Sequence, residues 1–121
     1  MISGMLIVES LRVGAELDGL SLVVRKVRKL RPTSTTPDQP DIWTLVEFDV
    51  DEAGAAHLAQ ELAAALDEPG WYVDFHSSTE SLVTFPGRVF RYRRGDAAGR
   101  SEAEAHARSL NIPNSQLDWP A

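Results

Sequence analysis

The chain has no cysteine, which excludes disulfides, thiolate metal sites and thiol chemistry. Nothing in it therefore points to an oxidising compartment. No apolar run approaches the roughly 20 residues that a membrane span needs. The opening Met1-Ile2-Ser3-Gly4-Met5-Leu6-Ile7-Val8 carries no basic residue and too short an apolar stretch for a secretory leader. The expectation from these absences is a cytoplasmic protein without a membrane partner. Histidine is scarce as well, with three in 121 residues and none near another in sequence, which weighs against a histidine metal centre. A further absence is local. Pro32 to Gly87 contains no lysine or arginine, although it holds eleven of the eighteen acids. All twelve cationic side chains lie in Arg12–Arg31 and Arg88–Arg108. Two basic blocks flanking an acidic middle predict neutralisation across a folded sheet. A net charge of −6 disfavours nucleic acid, which needs a basic footprint.

What remains is ordinary for one globular domain: 43% apolar and 25% charged residues. Leu20 to Leu30 is ambiguous: Leu20, Leu22 and Val24 alternate as a strand needs, whereas Val23, Val27 and Leu30 fit a helical stripe, and its three valines favour a strand with a bulge near Val24–Lys26. Met5-Leu6-Ile7-Val8 allows a short strand, but Leu6, Leu11 and Leu17 keep no single period. Pro32 to Asp41 holds three prolines and reads as an exposed loop. Ile42 to Val50 is a second strand, joined to the first by a wide hairpin. Asp49 or Asp51 then starts a helix, with Asp49 and Glu52 spaced as a capping box and Leu58, Leu62, Ala65 and Leu66 as its apolar stripe. Trp71–His76, Ser81–Phe85 and Arg88–Arg93 form a meander. Ser101 and Glu104 match a second capping box, Ala103 and Ala107 give a narrow stripe, and Asn111 suits the helix end. The expected fold class is α+β: an antiparallel sheet of about five strands in ββαβββα order, two helices on one face, with a ferredoxin-like arrangement as the variant.

Gly70 to Arg94 concentrates both tyrosines and three of the four phenylalanines. Strand alternation places Tyr72, Asp74 and His76 on one face, opposite Trp71, Val73 and Phe75. With helices over the Val73 side, the uncovered face presents Trp43, Glu47, Tyr72, Asp74, His76, Arg91 and Arg93 as candidate binding residues. Tryptophan, tyrosine and arginine together make a typical interface anchor, so the leading expectation is a non-enzymatic binding or interaction module. Its partner would be a second copy, giving a homodimer, or another protein.

The alternative is a small-ligand protein or small enzyme. Asp74-x-His76 would then supply an acid–base pair, and Arg91 or Arg93 would anchor a small anionic ligand. Against that chemistry stands a plain reading of Asp74 and His76 as an exposed pair in a cross-strand charge network. Glu80 is the nearest third ligand for a metal, and no cofactor is expected. His57 reads as a solvated surface residue and His106 as a packing one. Ser77, Ser78 and Ser81 lie near His76 without a nucleophile motif. Gly95-Asp96-Ala97-Ala98-Gly99 lacks any phosphate-binding fingerprint and reads as a loop.

Four segments carry a resemblance: Trp43–Phe48 (WTLVEF), Gly70–His76 (GWYVDFH), Gly87–Asp96 (GRVFRYRRGD), and Ile112-Pro113 with Gln116–Pro120 (QLDWP). Together they resemble a group of small, functionally uncharacterised actinobacterial proteins, over roughly residues 20–120. The resemblance implies a single-domain unit and carries no chemistry.

Overall fold

A computed structural model of the chain describes residues 1–33 and 35–121. It is α+β, with one antiparallel sheet of six strands and two helices. The strands are β1 (Ile2–Ile7), β2 (Leu22–Leu30), β3 (Trp43–Val50), β4 (Val73–His76), β5 (Glu80–Phe85) and β6 (Arg88–Arg93). The helices are α1 (Glu52–Ala65) and α2 (Ala97–Ser109), so the order is βββαβββα. Across the sheet the strands run β2-β3-β1-β4-β5-β6.

The expected count of about five strands is one short, and the missing strand is central. β1 pairs antiparallel with both β3 and β4. β3 and β4 therefore run parallel with β1 between them, and α1 makes the crossover. This connectivity is not the βαββαβ order of a ferredoxin-like fold. The expected β2–β3 hairpin forms, with its register shift between Val24 and Lys26. The 32–41 loop includes residue 34, which lies outside the described residues. Elsewhere in that loop Gln39 is buried rather than exposed.

The two helices do not share a face. Phe75 pairs with Leu82, and both join Phe48, Val50 and the α1 residues Ala55, Leu58, Ala59 and Leu62 in one core. Val83, the next residue along β5, points the other way. It joins Phe85, Phe90, Tyr92 and the α2 residues Ala103 and Ala107 in a second core. The sheet is thus covered on both sides at its β5–β6 end. Apolar residues are needed on both faces there, which accounts for the run Leu82-Val83 and for Phe90 and Tyr92 standing under α2.

Local chemistry sets the helix ends. Asp51 is the residue before α1, while Asp49 stays in β3 and its carboxylate accepts from Ser3 Oγ and Arg25 Nε, both at 2.6 Å. The Asp49–Glu52 box therefore does not form. α2 starts four residues before Ser101, because Asp96 Oδ1 accepts from the Gly99 amide at 3.1 Å. Glu104 instead faces Arg100 and Arg108 at 3.8 and 4.0 Å. Asn111, with φ of 62°, takes the left-handed position just past α2.

The basic edge strand β2 borders β3, as the charge layout predicts. Arg25 pairs with Asp49 at 2.6 Å and Arg28 with Glu47 at 3.7 Å. At the other edge, β6 borders β5 and not the strand carrying Asp74, and Arg91 forks onto Glu80 at 2.9 and 3.1 Å. These pairs are surface pairs and screenable. The melting temperature should fall modestly as sodium chloride rises from low salt to about 0.2 M. A rise over that range would mean that the net charge of −6 dominates through self-repulsion.

Candidate functional site

The α2-bearing face is left open over β1 and β3, and a cleft of about 490 Å³ forms there. Alternation supplies its floor. Ile7 is opposite Leu45 and Leu30 is opposite Trp43, so Met5, Ile7, Leu45 and Trp43 share one side of the sheet. Asp74 is on that side too, because its strand neighbour His76 pairs with Ser3, which pairs in turn with Asp49. Two irregular segments build the walls: Arg31-Pro32-Thr33 with Gln39 on one side, and Gly70-Trp71-Tyr72 with Ser115, Gln116 and Asp118 on the other.

The walls are tied to each other by amide groups. Gln39 Nε2 donates to the Gly70 carbonyl at 3.2 Å and to Gln116 Oε1 at 3.3 Å. Gln116 Nε2 returns a bond to Gln39 Oε1 at 3.0 Å. The C-terminal segment is held by several contacts at once. Trp119 is buried, its indole N–H donates to the Tyr92 hydroxyl at 2.8 Å, and it lies edge-on to Tyr72. Arg100 stacks over Trp119 and donates to the carbonyls of Trp119 and Pro120 at 2.8 and 2.9 Å. This clamp fixes Asp118 at the cleft. The Tyr72 hydroxyl donates to the Gln116 carbonyl and stands 3.0 Å from Asp118 Oδ1.

Electrostatically the cleft is unusual. Burial raises the Asp74 pKa to about 6, and the neighbouring Asp118 charge adds to that shift, while the Asp74 amide and Arg100 offset part of it. The Tyr72 hydroxyl is pushed up in the same way, by burial first and then by the charges of Asp118 and Asp74. Arg31 sits at the cleft wall but is mostly exposed and bound to Asp41 at 2.8 Å.

The seven sequence candidates separate. Trp43, Tyr72 and Asp74 line the cleft. Glu47 shares their face but is turned to Arg28 on β2. His76 shares the face and lies outside the cleft lining. Its Nδ1 is 3.9 Å from Asp74 Oδ2, beyond hydrogen-bonding distance, and that buried nitrogen has no hydrogen-bond partner among the described residues. Burial and Arg94 lower the His76 pKa, so it is neutral at pH 7. The expected Asp74–His76 pair therefore stands side by side on one face without a hydrogen bond between its members. Arg91 and Arg93 are on the opposite, α1-bearing face: Leu82 pairs with Arg91 and Glu80 with Arg93. They reach neither Asp74 nor a ligand in the cleft. Their place follows from the tight Pro86-Gly87 hairpin, whose register puts Phe90 opposite Val83.

Sequence reading missed Gln39, Gln116, Leu45 and Asp118 as site residues. Only Asp118 had a usable signal, a carboxylate one residue before a tryptophan suited to docking. His106 packs edge-on to Phe85 at 5.0 Å, in line with a structural role. Among the described residues no three His, Asp or Glu side chains converge as metal ligands, and no helix is long and apolar enough to cross a membrane. No family model, curated protein or solved structure matches the chain.

Proposed function

We propose that the chain is a non-enzymatic binding module and that its ligand is a small molecule held in the cleft over β1, β3 and β4. The observation that carries this reading is the cleft itself. Its volume of about 490 Å³ lies in the range of small-ligand sites, its floor is apolar and aromatic, and a few polar groups converge on it. The walls are braced by the Gln39–Gln116 amide pair and the Trp119 clamp, so the site is preformed. A catalytic reading has less behind it than the cleft, because no hydrogen bond links His76 and Asp74. The protein-contact reading, with a homodimer through Trp43 and Tyr72, is also weakened. Trp43 Nε1 is engaged with the Pro40 carbonyl at 2.9 Å, and Tyr72 is packed against Phe85 and Trp119.

Two-dimensional NMR of the labelled protein with a fragment set of mixed charge tests the proposal. Trp43 and Trp71 both line the cleft, and their rings meet edge-to-face at 5.5 Å. Bound fragments should shift these two indole N–H signals and leave the Trp119 indole in place. Replacing Leu45 with Arg, which fills the floor, should abolish those shifts. A set in which no fragment moves the Trp43 or Trp71 signals would overturn the reading.

A further inference from the structure

We propose that the cleft is selective for a small organic cation, an amine whose ammonium group sits beside Asp74 and Asp118 while its apolar body lies on Trp43 and Leu45. This rests on the cleft being the ligand site and adds the class of ligand. The inference follows from where charge is left unmatched. Two carboxylates line one cleft, and among the described residues no lysine or arginine comes within 4.0 Å of either. The nearest cationic candidate is His76, 3.9 Å from Asp74 and held neutral by its burial. Arg100, whose field reaches Asp74, is committed to the Trp119 and Pro120 carbonyls. Arg31 is at the wall and is matched by Asp41.

The Asp74 carboxylate is costly in this position unless something offsets it, because its burial and the neighbouring Asp118 charge both raise its energy. A ligand ammonium supplies the missing opposite charge and the N–H donors. The remaining lining favours the same class. Trp43, Trp71 and Tyr72 present ring surface, which attracts cations and apolar groups alike. An anionic ligand would meet the two acids, and among the described residues the cation in the lining, Arg31, is already paired with Asp41.

Matched probes decide the class: phenethylamine, phenethyl alcohol and phenylacetate, each titrated at pH 7.5 up to about 10 mM, the range of weak fragment binding. The shifts of the Trp43 and Trp71 indole signals report occupancy. The amine should bind at least about tenfold more tightly than the alcohol, and phenylacetate should not bind. Asp118 is exposed at the cleft, and Asp118→Asn keeps a carbonyl oxygen near Tyr72, so the variant should fold. It should weaken the amine by about tenfold and leave the alcohol unchanged. Equal or tighter binding of the alcohol or of phenylacetate would overturn the cation proposal while leaving the cleft as a binding site. If none of the three moves either indole signal, the cation proposal falls, and the fragment set alone decides whether the cleft binds a small molecule. Amine binding that Asp118→Asn leaves untouched would also overturn the proposal, since the acid pair would then not be the contact.

Discussion

Gly4→Ala should lower the melting temperature by at least about 10 °C, corresponding to roughly 3 kcal/mol or more for a chain of this size. Gly4 lies in the middle of β1, with Phe48 opposite it on β3 and Phe75 opposite it on β4. The two rings meet over the glycine with centroids 6.0 Å apart. An added Cβ would stand 2.5 Å from Phe75 Cβ, 2.8 Å from the Asp74 carbonyl oxygen and 2.9 Å from the Phe48 ring. One of these neighbours is backbone and one is the first carbon of a fully buried side chain, so neither can step aside. Relief would require β1 to move away from a neighbouring strand, and β1 joins the two halves of the sheet. Far-ultraviolet circular dichroism through a thermal melt measures the effect. A variant within about 2 °C of the parent would show that β1 yields, contrary to a close-packed sheet centre. Gly99 is a smaller version of the same device, since a Cβ there would be 2.6 Å from Tyr92 Cβ where α2 crosses β6.

The same glycine explains why β1 was hard to read in the sequence. Its apolar pattern is interrupted at Gly4, where the side chain is omitted to admit two phenylalanines. Met5 and Ile7 then face the cleft while Ile2 and Leu6 face the α1 core. Strong apolar character on both faces removes the alternation that identifies a strand. β2, β3, the meander and both helices were legible from β-branched and aromatic content, the turn residues between strands and the helical stripes. Helix placement was legible only in half. Leu58 and Leu62 announce a buried stripe, but no periodicity within a helix says which sheet face receives it. Alternation sets Phe90 and Tyr92 opposite Arg91 and Arg93 but does not say which core receives them. The hairpin register places both in the α2 core.

The site was legible to the extent that strands position it. Trp43, Asp74 and their common face follow from period-two alternation alone. Gln39, Gln116 and Asp118 come from irregular segments, brought in by contacts spanning 77 residues in the amide pair and 46 in the Tyr72–Asp118 contact. Such juxtapositions leave no local pattern. The consequence for the proposed ligand is a change of sign. The sequence grouping of Arg91 and Arg93 with Asp74 suggested an anion site, whereas the folded cleft excludes both arginines and gathers two acids.

Asp74→Asn should stabilise the protein at pH 7.5 and have no effect at pH 4. The folded pKa of Asp74 is about 6, raised by burial and by Asp118. In the unfolded chain an aspartate loses its proton near pH 4. Below that pH both states hold the proton and the group contributes nothing. As pH rises from about 4 through 6 the unfolded state releases its proton first, so stability falls, and above about 7 the cost is complete. Asparagine has no proton to lose and escapes the cost. The carboxylate is 28% exposed, so solvent screens part of the shift. A gain on the order of 1–2 kcal/mol, or roughly 3–8 °C, is expected at pH 7.5. The groups facing Asp74 are Asp118 and Tyr72 at the cleft, His76 along the strand and Arg100 on α2. Burial favours the neutral form of His76, and the field of Arg100 already offsets part of the Asp74 shift without cancelling it, so neither reverses the sign. Melting both proteins side by side from pH 4 to pH 8 isolates the term, because acids such as Asp49 and Glu80, held low by their partners, titrate identically in each. A constant difference across that range, or a destabilised variant at pH 7.5, would mean that Asp74 is solvated or internally paired. The unmatched carboxylates that motivate a cationic ligand would then have no energetic basis.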